Sequence, residues 1–329
     1  MPLISILLPV YNAAPFLKEC LQSILQQTEI NWELLAIDDF STDDSALILK
    51  QFAEADPRIH IFTNNEKGII PALRLAFQKS KGKLITRMDA DDLMPVDKLA
   101  ILKKGWEIHG KGHLITGLVE YFSERALGLG YQKYQDWLNG LTIHNNHYRE
   151  IYRECVLPSP AWLIHREDLL QAGAFTADRY PEDYDLCFRF YEQKMTIVGI
   201  PQLVHRWRDH THRTSRTSPV YANSNYLELK LFWFLKLDYD AQQTLVVWGA
   251  GKKGKWIANY LIDRKIPFQW VTDNPRKKGI TIYDHPLIGS DFLTDKKNTQ
   301  TLIAVAAPAD RIEIQDFFDR DGGDYFWIC

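Results

Sequence analysis

The stretch "GKLITRMDADDLMP" (residues 82–95) runs from an apolar segment into three aspartates within four positions. Ionised carboxylates at that spacing repel one another. They read either as a solvated acidic turn or as a site completed by a cation and whatever the cation carries. On an apolar strand ending in Asp-Ala-Asp, side chains alternate, so Asp89 and Asp91 are expected on one side of the chain. Two carboxylates facing one way suit Mg²⁺ or Mn²⁺, which take oxygen ligands and commonly share them with substrate phosphates. Asp92 is expected to point away and cap the segment that follows.

Upstream, the first ninety residues alternate between apolar runs and helical patterns. "ISILLPV" (4–10), "WELLAIDD" (32–39), "IHIFTN" (59–64) and "GKLITRMDADD" (82–92) read as strands. Between them, 14–27, 41–55 and 69–80 read as helices, the second capped by Ser41 or Thr42 with Asp43 and Asp44 in its first turn. Such alternation predicts a parallel sheet with helices on both faces. Ligands of such sheets bind beyond the carboxyl ends of the strands. Those ends carry "PVYN", "DDFSTDD", "TNNEKG" and "DADD", so polar residues converge on one edge. A carboxylate at Asp39 suits an N–H donor such as the N3–H of a uracil ring, and Tyr11 is placed to stack on a base.

"ISILLPVYNAAPFLKECLQSILQQT", "ELLAIDDFSTDDS" and "GKLITRMDADDLMP" together resemble the nucleotide-sugar-dependent family 2 glycosyltransferases of GT-A fold, through the first hundred residues in order and spacing. The resemblance implies a mixed Rossmann-like α/β sheet. It also implies that Pro9, Tyr11 and Asp39 hold the nucleotide, that Asp89 and Ala90 lie near the ribose, and that Asp91, with Asp89, ligates the metal on the diphosphate. Arg74 corresponds to a less regular donor-binding position. The acidic pair expected about ninety residues after the metal motif is supplied by "PEDYDL" as Glu182 and Asp183. In inverting chemistry a base deprotonates the acceptor hydroxyl, and Asp183 is assigned that role. The cationic stretch "HRWRDHTHRTSRTS" (205–218) resembles the family's aromatic-Arg-x-His element, with Trp207 where Tyr is usual. Arg208 and His210 are thereby expected at the diphosphate, and His205, His210 and His212 remain alternatives for the imidazole that matters.

From 112 to 225 the periodicity loosens, and 224–240 reads as a connecting helix. Then "TLVVWGAGKKGKWIANYLID" presents strand, glycine turn and helix. Gly249, Gly251 and Gly254 stand in the G-x-G-x-x-G order, trailed by Asp273 at the next strand end. The segment is short and Lys252 and Lys253 crowd the turn, so an NAD site and a non-catalytic nucleotide-fold appendage both stay open. The expected domains are 1–223, a linker helix 224–242, and a small Rossmann-like domain 243–329. The whole layout resembles beta-1,3-N-acetylglucosaminyltransferase-like proteins, which implies UDP-N-acetylglucosamine as donor and a saccharide or glycolipid hydroxyl as acceptor. The competing reading is a sugar-nucleotide sensor or an NAD-dependent oxidoreductase centred on the C-terminal segment.

Composition adds limits. Net charge is −3 over 329 residues, so no global basic field draws the chain to nucleic acid or anionic lipid. Cys20, Cys155, Cys187 and Cys329 are scattered, with no pair at metal-ligand or redox spacing. The apolar opening, residues 1–10, is too short to span a bilayer and lacks a basic leader. The expectation is a cytoplasmic chain with peripheral membrane contact at most.

Overall fold

The computed structural model describes residues 3–123, 127–211, 213, 223–293, 296–305 and 307–328. They fall into two compact units: residues 1–149 with 155–221, and 150–154 with 222–329. The helix read from sequence as a linker is therefore part of the second unit, and a short piece of the chain near 150 belongs there as well.

In the first unit the opening alternation appears as β1 (Ile4–Val10), α1 (Ala14–Leu25), β2 (Trp32–Asp38), α2 (Ser45–Ala55), β3 (Ile59–Thr63), α3 (Ile69–Lys79) and β4 (Leu84–Arg87). The remainder adds α4 (Lys98–His109), β5 (His113–Phe122), α5 (Leu129–His144), β6 (Trp162–His165), α6 (Arg166–Gln171), α7 (Glu182–Glu192) and β7 (Thr196–Arg208). Strand order is β3-β2-β1-β4-β6-β5-β7. The first four strands are parallel, as the alternation predicts, but β6 runs antiparallel to both β4 and β5. The sheet is mixed.

Apolar runs make β1, β2 and β4 central, with Ile4, Ile6, Leu8, Leu34, Ala36 and Leu84 fully buried among the helices. On α1 the helical spacing of Leu17, Cys20, Leu21 and Ile24 puts all four against that core. Two local expectations fail. Helix α2 begins at Ser45 rather than 41, because Ser41 and Thr42 are used elsewhere: the Ser41 hydroxyl accepts the Asn12 N–H at 3.1 Å, and the Thr42 N–H goes to Asn12 Oδ1 at 2.8 Å. They tie the end of β1 to the end of β2 instead of capping a helix. Strand β4 also stops at Arg87, so the acidic run after it is a turn and not extended chain. The Asp92 N–H bonds back to the Asp89 carbonyl at 3.2 Å within that turn.

Strand β7 pairs parallel with β5 through two register shifts near Leu118. Its far end meets the acidic turn, where Leu93 and Arg206 exchange two 3.1 Å backbone hydrogen bonds. The long strand thereby carries the residues after 204 to the carboxyl end of β4.

The second unit contains α8 (Asn223–Leu237), β8 (Thr244–Trp248), α9 (Lys252–Asp263), β9 (Gln269–Val271), β10 (Thr281–Ile282), β11 (His285–Ile288), β12 (Thr299–Ile303), α10 (Pro308–Asp321) and β13 (Asp324–Trp327). Its sheet order is β10-β11-β9-β8-β12-β13, with Val246, Trp248, Val271, Ile303 and Phe318 in its core. Two of the three fingerprint glycines are demanded by this packing. Gly249 has φ +119°, and a Cβ on Gly254 would sit 1.9 Å from the Gly249 carbonyl oxygen. Gly254→Ala is therefore expected to cost about 1–3 kcal/mol, because the helix must back away from the strand it packs on. Urea unfolding followed by tryptophan fluorescence checks this, and an unchanged midpoint would contradict the packing described.

Among the described residues no helix is long and apolar enough to cross a membrane.

Candidate active site

The carboxyl ends of β1, β2, β3 and β4 lie on one edge of the sheet, as the sequence pattern implies. Asp39 follows β2 and is buried. Its carboxylate accepts the Asn64 side-chain N–H at 2.7 Å and the Gly68 backbone N–H at 2.9 and 3.0 Å. Gly68 is the N-cap of α3, so the negative charge sits at the positive end of that helix. Tyr11, just past β1, is 47% exposed, its ring face under the Lys67 ammonium at 4.6 Å. Pro9 lies one position before the end of β1, opposite Ile37, and is partly exposed.

The acidic turn is arranged differently from the extended-strand expectation. The strand ends at Arg87, and Asp89 and Asp91 take different partners. Asp89 turns to Arg87, Oδ1 to Nη2 at 3.1 Å. Asp91 meets His210, Oδ2 to Nε2 at 2.8 Å, and its backbone carbonyl accepts Arg208 Nε at 2.8 Å. Burial alone would raise the Asp91 carboxyl, but the His210 hydrogen bond and the Arg213 and His210 charges hold it below the usual carboxylate range. Ala90 packs into the core.

Asp92 does not cap the next helix, which starts at Lys98 with Asp97 as its N-cap. It is fully buried and pins β7: Oδ2 meets His205 Nε2 at 2.9 Å and Oδ1 accepts the Arg208 N–H at 2.8 Å. Burial, with the Asp91 and Asp89 charges, pushes its carboxyl well up, and burial pushes the His205 imidazole well down. The pair favours its neutral forms and is structural. Of the three imidazoles weighed, His210 meets Asp91 and His205 meets Asp92, while His212 lies outside the described residues, as do 214–218. The Arg208 guanidinium is framed by Phe16 and Phe122 and paired with Glu19 at 2.5 Å.

Helix α7 opens with the acidic pair. Glu182 is buried, and Asp183, partly buried, accepts the Tyr184 backbone N–H at 2.8 Å. Burial and the Glu182 charge push the Asp183 carboxyl up to about 7, against the pull of Arg87. Sequence reasoning missed Arg87. Its side chain is only 3% exposed, and it joins the two acidic motifs: Nη2 to Asp89 at 3.1 Å, Nη1 to Glu182 Oε1 at 3.5 Å. Burial acts to lower its pKa, but Asp89, Glu182 and Asp183 outweigh that and hold it firmly cationic. A lone arginine inside the apolar run "LITRM" is the signal that was available, since a buried cation needs counter-charges.

Arg74 is not brought to the carboxylates. Its guanidinium donates to the Phe175 and Thr176 carbonyls at 3.0 and 3.2 Å and pairs with Asp178 at 2.6 Å. It fastens α3 to the segment leading into α7. Behind α7, Cys155 and Cys187 come within 3.6 Å as free thiols, a proximity their sequence spacing did not show.

The residues present suit a divalent cation in part. Asp91 is an ionised carboxylate with an imidazole beside it, and among the described residues the buried His210 Nδ1 has no hydrogen-bond partner. Asp89 is already neutralised by Arg87. Among the described residues no cluster of three or more Asp, Glu, His or Cys side chains is assembled to hold a metal. A cation here would take its remaining ligands from a bound phosphate or water, as Mg²⁺ and Mn²⁺ commonly do.

In the second unit the carboxylate of Asp273 accepts Trp248 Nε1 at 2.7 Å and the Ser290 hydroxyl at 2.9 Å. Gly249 and Gly251 lie on the turn between β8 and α9, beside a cleft that Asp273 also lines, and Gly254 lies in the first turn of α9.

Comparison with known proteins bears on the family and the fold. The family model described as glycosyl transferase family 2 matches residues 5–171. A putative teichuronic acid biosynthesis glycosyltransferase, TuaG of Bacillus subtilis, is 34% identical over 99 residues, covering 30% of this chain and 39% of TuaG. The matched stretch thus spans about two fifths of the length of the first curated relatives. Among solved structures, S. aureus TarS 1–349 with UDP-GlcNAc superposes with TM-score 0.56 at 15% identity, over 72% of this chain and 68% of that one. The mannosyltransferase PcManGT of Pyrobaculum calidifontis, with GDP-Man and Mn²⁺, does so at 0.53 and 18%, over 79% and 70%.

Proposed function

The chain belongs to glycosyl transferase family 2, and from that premise we propose that it transfers a sugar from a UDP-sugar to a hydroxyl of a saccharide or glycolipid, with inversion. The observation that carries the mechanism is Arg87. One buried guanidinium spans Asp89 of the acidic turn and Glu182 of the α7 entrance, so both motifs form one site.

In this reading Asp39, held rigid by Asn64 and Gly68, keeps a lone pair for the N3–H of uracil, and exposed Tyr11 supplies the stacking face. Pro9 shapes the floor of that pocket. Arg208 stiffens the Asp91 backbone, and Asp91 with His210 would hold Mn²⁺ or Mg²⁺. A bound cation would spread the charge that grows on the leaving diphosphate. Asp183 takes the proton of the acceptor hydroxyl as its oxygen forms a bond to the anomeric carbon. The bond from that carbon to the diphosphate oxygen breaks, and UDP leaves. Arg74 positions the loop before α7 and does not touch the donor. UDP-N-acetylglucosamine is the donor to test first.

The pH dependence is the direct test. A base works deprotonated, and the Asp183 carboxyl is pushed up to about 7. Its protonated, idle form therefore persists to higher pH than for an ordinary aspartate. We expect kcat/KM for UDP release to rise about tenfold per pH unit up to that midpoint and to level off above it. Arg87 lowers the Asp183 pKa, so Arg87→Met moves the midpoint to higher pH. A profile flat from pH 5 to 8, or one that Arg87→Met moves downward, would remove Asp183 as the base.

A further inference from the structure

The backbone of the first unit holds one large side chain where its conformation disfavours any. Phe40, the residue after Asp39, has φ +61°, in the left-handed region where a bulky side chain crowds its own backbone and glycine does not. We propose that Phe40 is a second aromatic wall of the nucleobase pocket, a specificity-determining residue that selects a flat base together with Tyr11, in a role that rests on the donor reading of Asp39 and Tyr11 above.

The conformation is imposed by the neighbours of Phe40. Asn12 is left-handed too, with φ +47°, but asparagine visits that region readily. The two turns are laced together. The Asp39 N–H donates to the Val10 carbonyl at 2.7 Å, the Asn12 N–H to the Ser41 hydroxyl at 3.1 Å, and the Thr42 N–H to Asn12 Oδ1 at 2.8 Å. Strain persists where the surroundings over-determine the backbone in this way, and glycine at 40 would relieve it. The lacing uses none of the Phe40 side chain, so it gives no reason for a phenyl ring.

The core gives none either. Phe40 is 45% exposed and is not among the side chains packed against the buried cluster of this unit. A single exposed apolar residue is ordinary on a surface. One that is also held at positive φ carries a backbone cost and a hydration cost that core packing does not offset.

Beside the ring is the donor site. β2 lies between β1 and β3, so Phe40 leaves the sheet between the strand ends that carry Tyr11 and Lys67. Those two side chains meet: Lys67 Nζ donates to the Tyr11 hydroxyl at 3.2 Å and stands 4.6 Å from the centre of its ring. One face of Tyr11 is thereby taken by an ammonium, and the other is left for a base. Asp39 is the acceptor for an N–H in the plane of that base. A planar ligand gripped at its edge by Asp39 and on one face by Tyr11 has a second face to cover. An exposed aromatic ring on the residue next to Asp39 is suited to cover it.

The test compares the full-length wild type with Phe40→Gly and Phe40→Tyr. Urea unfolding midpoints are measured, and UDP and dihydrouridine diphosphate are titrated calorimetrically with Mn²⁺ present. The dihydro base keeps the N3–H and both carbonyls but is puckered and has no aromatic face. Phe40→Gly is expected to unfold at or above the wild-type midpoint, because left-handed strain is relieved. It is expected to bind UDP about tenfold more weakly, within the range of stacking on one ring. The preference for UDP over the dihydro analogue shrinks with it, and Phe40→Tyr keeps both affinity and preference. A lowered Phe40→Gly midpoint would show that the ring serves the fold, and unchanged UDP affinity would show that it touches no base. Either overturns the proposal, as does an equal loss of affinity for UDP and the dihydro analogue. In all three cases the wild type still binds UDP. If the wild type does not, the donor reading itself falls and the role of Phe40 falls with it.

Discussion

Asp183→Asn is expected to lower sugar transfer by about 10²–10⁴-fold while UDP affinity stays at the wild-type value. Asparagine keeps the shape and the Oδ1 acceptor that receives the Tyr184 N–H at 2.8 Å, so the entrance of α7 should hold its form. What disappears is a carboxylate able to take a proton. Burial and Glu182 have pushed that carboxyl up to about 7, near the pH at which a base is both deprotonated and strong enough to act. The groups assigned to the donor, Tyr11, Asp39 and Asp91, lie on other elements and keep their contacts. Initial rates of UDP release, paired with titration of UDP and Mn²⁺, separate the two effects. Transfer near the wild-type rate, or loss of UDP binding, would place the base on another side chain.

The fold was legible where local pattern and tertiary role coincide. β1, β2 and β3 and the helices between them follow from apolar runs and 3.6-residue spacing, because β1 and β2 are interior strands, β3 is an apolar edge strand paired with β2, and each helix has one buried face. β5, α5 and β7 were not legible. β7 is interrupted by Gly199 and Pro201 and shows no clean alternation, and its course is set by pairing with β5, a contact between residues eighty or more positions apart. Periodicity within a window cannot see such a partner.

The site divides along the same line. Asp39, Asp91, Asp183 and His210 can be proposed from sequence because each sits in a motif whose residues are close in sequence. Three things were hidden. Asp92 was read as a cap because it follows a strand, and its real partners, His205 and the Arg208 N–H, arrive from β7. The expectation that Asp89 and Asp91 face together rests on an extended chain, and β4 ends at Arg87, before either of them. Arg74 was carried over by position alone, and its guanidinium is spent on the 175–178 segment. In each case a residue's type was right for polar work, and a long-range contact decided which work.

Asp91→Asn is expected to weaken UDP and Mn²⁺ binding together and to cut transfer by about 10²–10³-fold, leaving the fold intact. A metal at a leaving group supplies several kcal/mol of charge stabilisation, and each 1.36 kcal/mol is a factor of ten in rate. Of the carboxylates in the acidic turn, Asp91 is the one with capacity to spare. Asp89 is paired with Arg87 and Asp92 is fully buried against His205, whereas Asp91 is held in its ionised form beside His210. The amide retains an oxygen and its place against His210 but loses the charge that attracts a cation. The backbone carbonyl that accepts Arg208 Nε is untouched, so the turn itself should survive. The coupling is the decisive part. If Asp91 holds a metal that bridges to the diphosphate, Mn²⁺ tightens UDP in the wild type and stops doing so in the variant, while UDP measured in EDTA is the same for both. Should Asp91→Asn bind UDP with Mn²⁺ as tightly as the wild type, the metal is held elsewhere or the transfer proceeds without one.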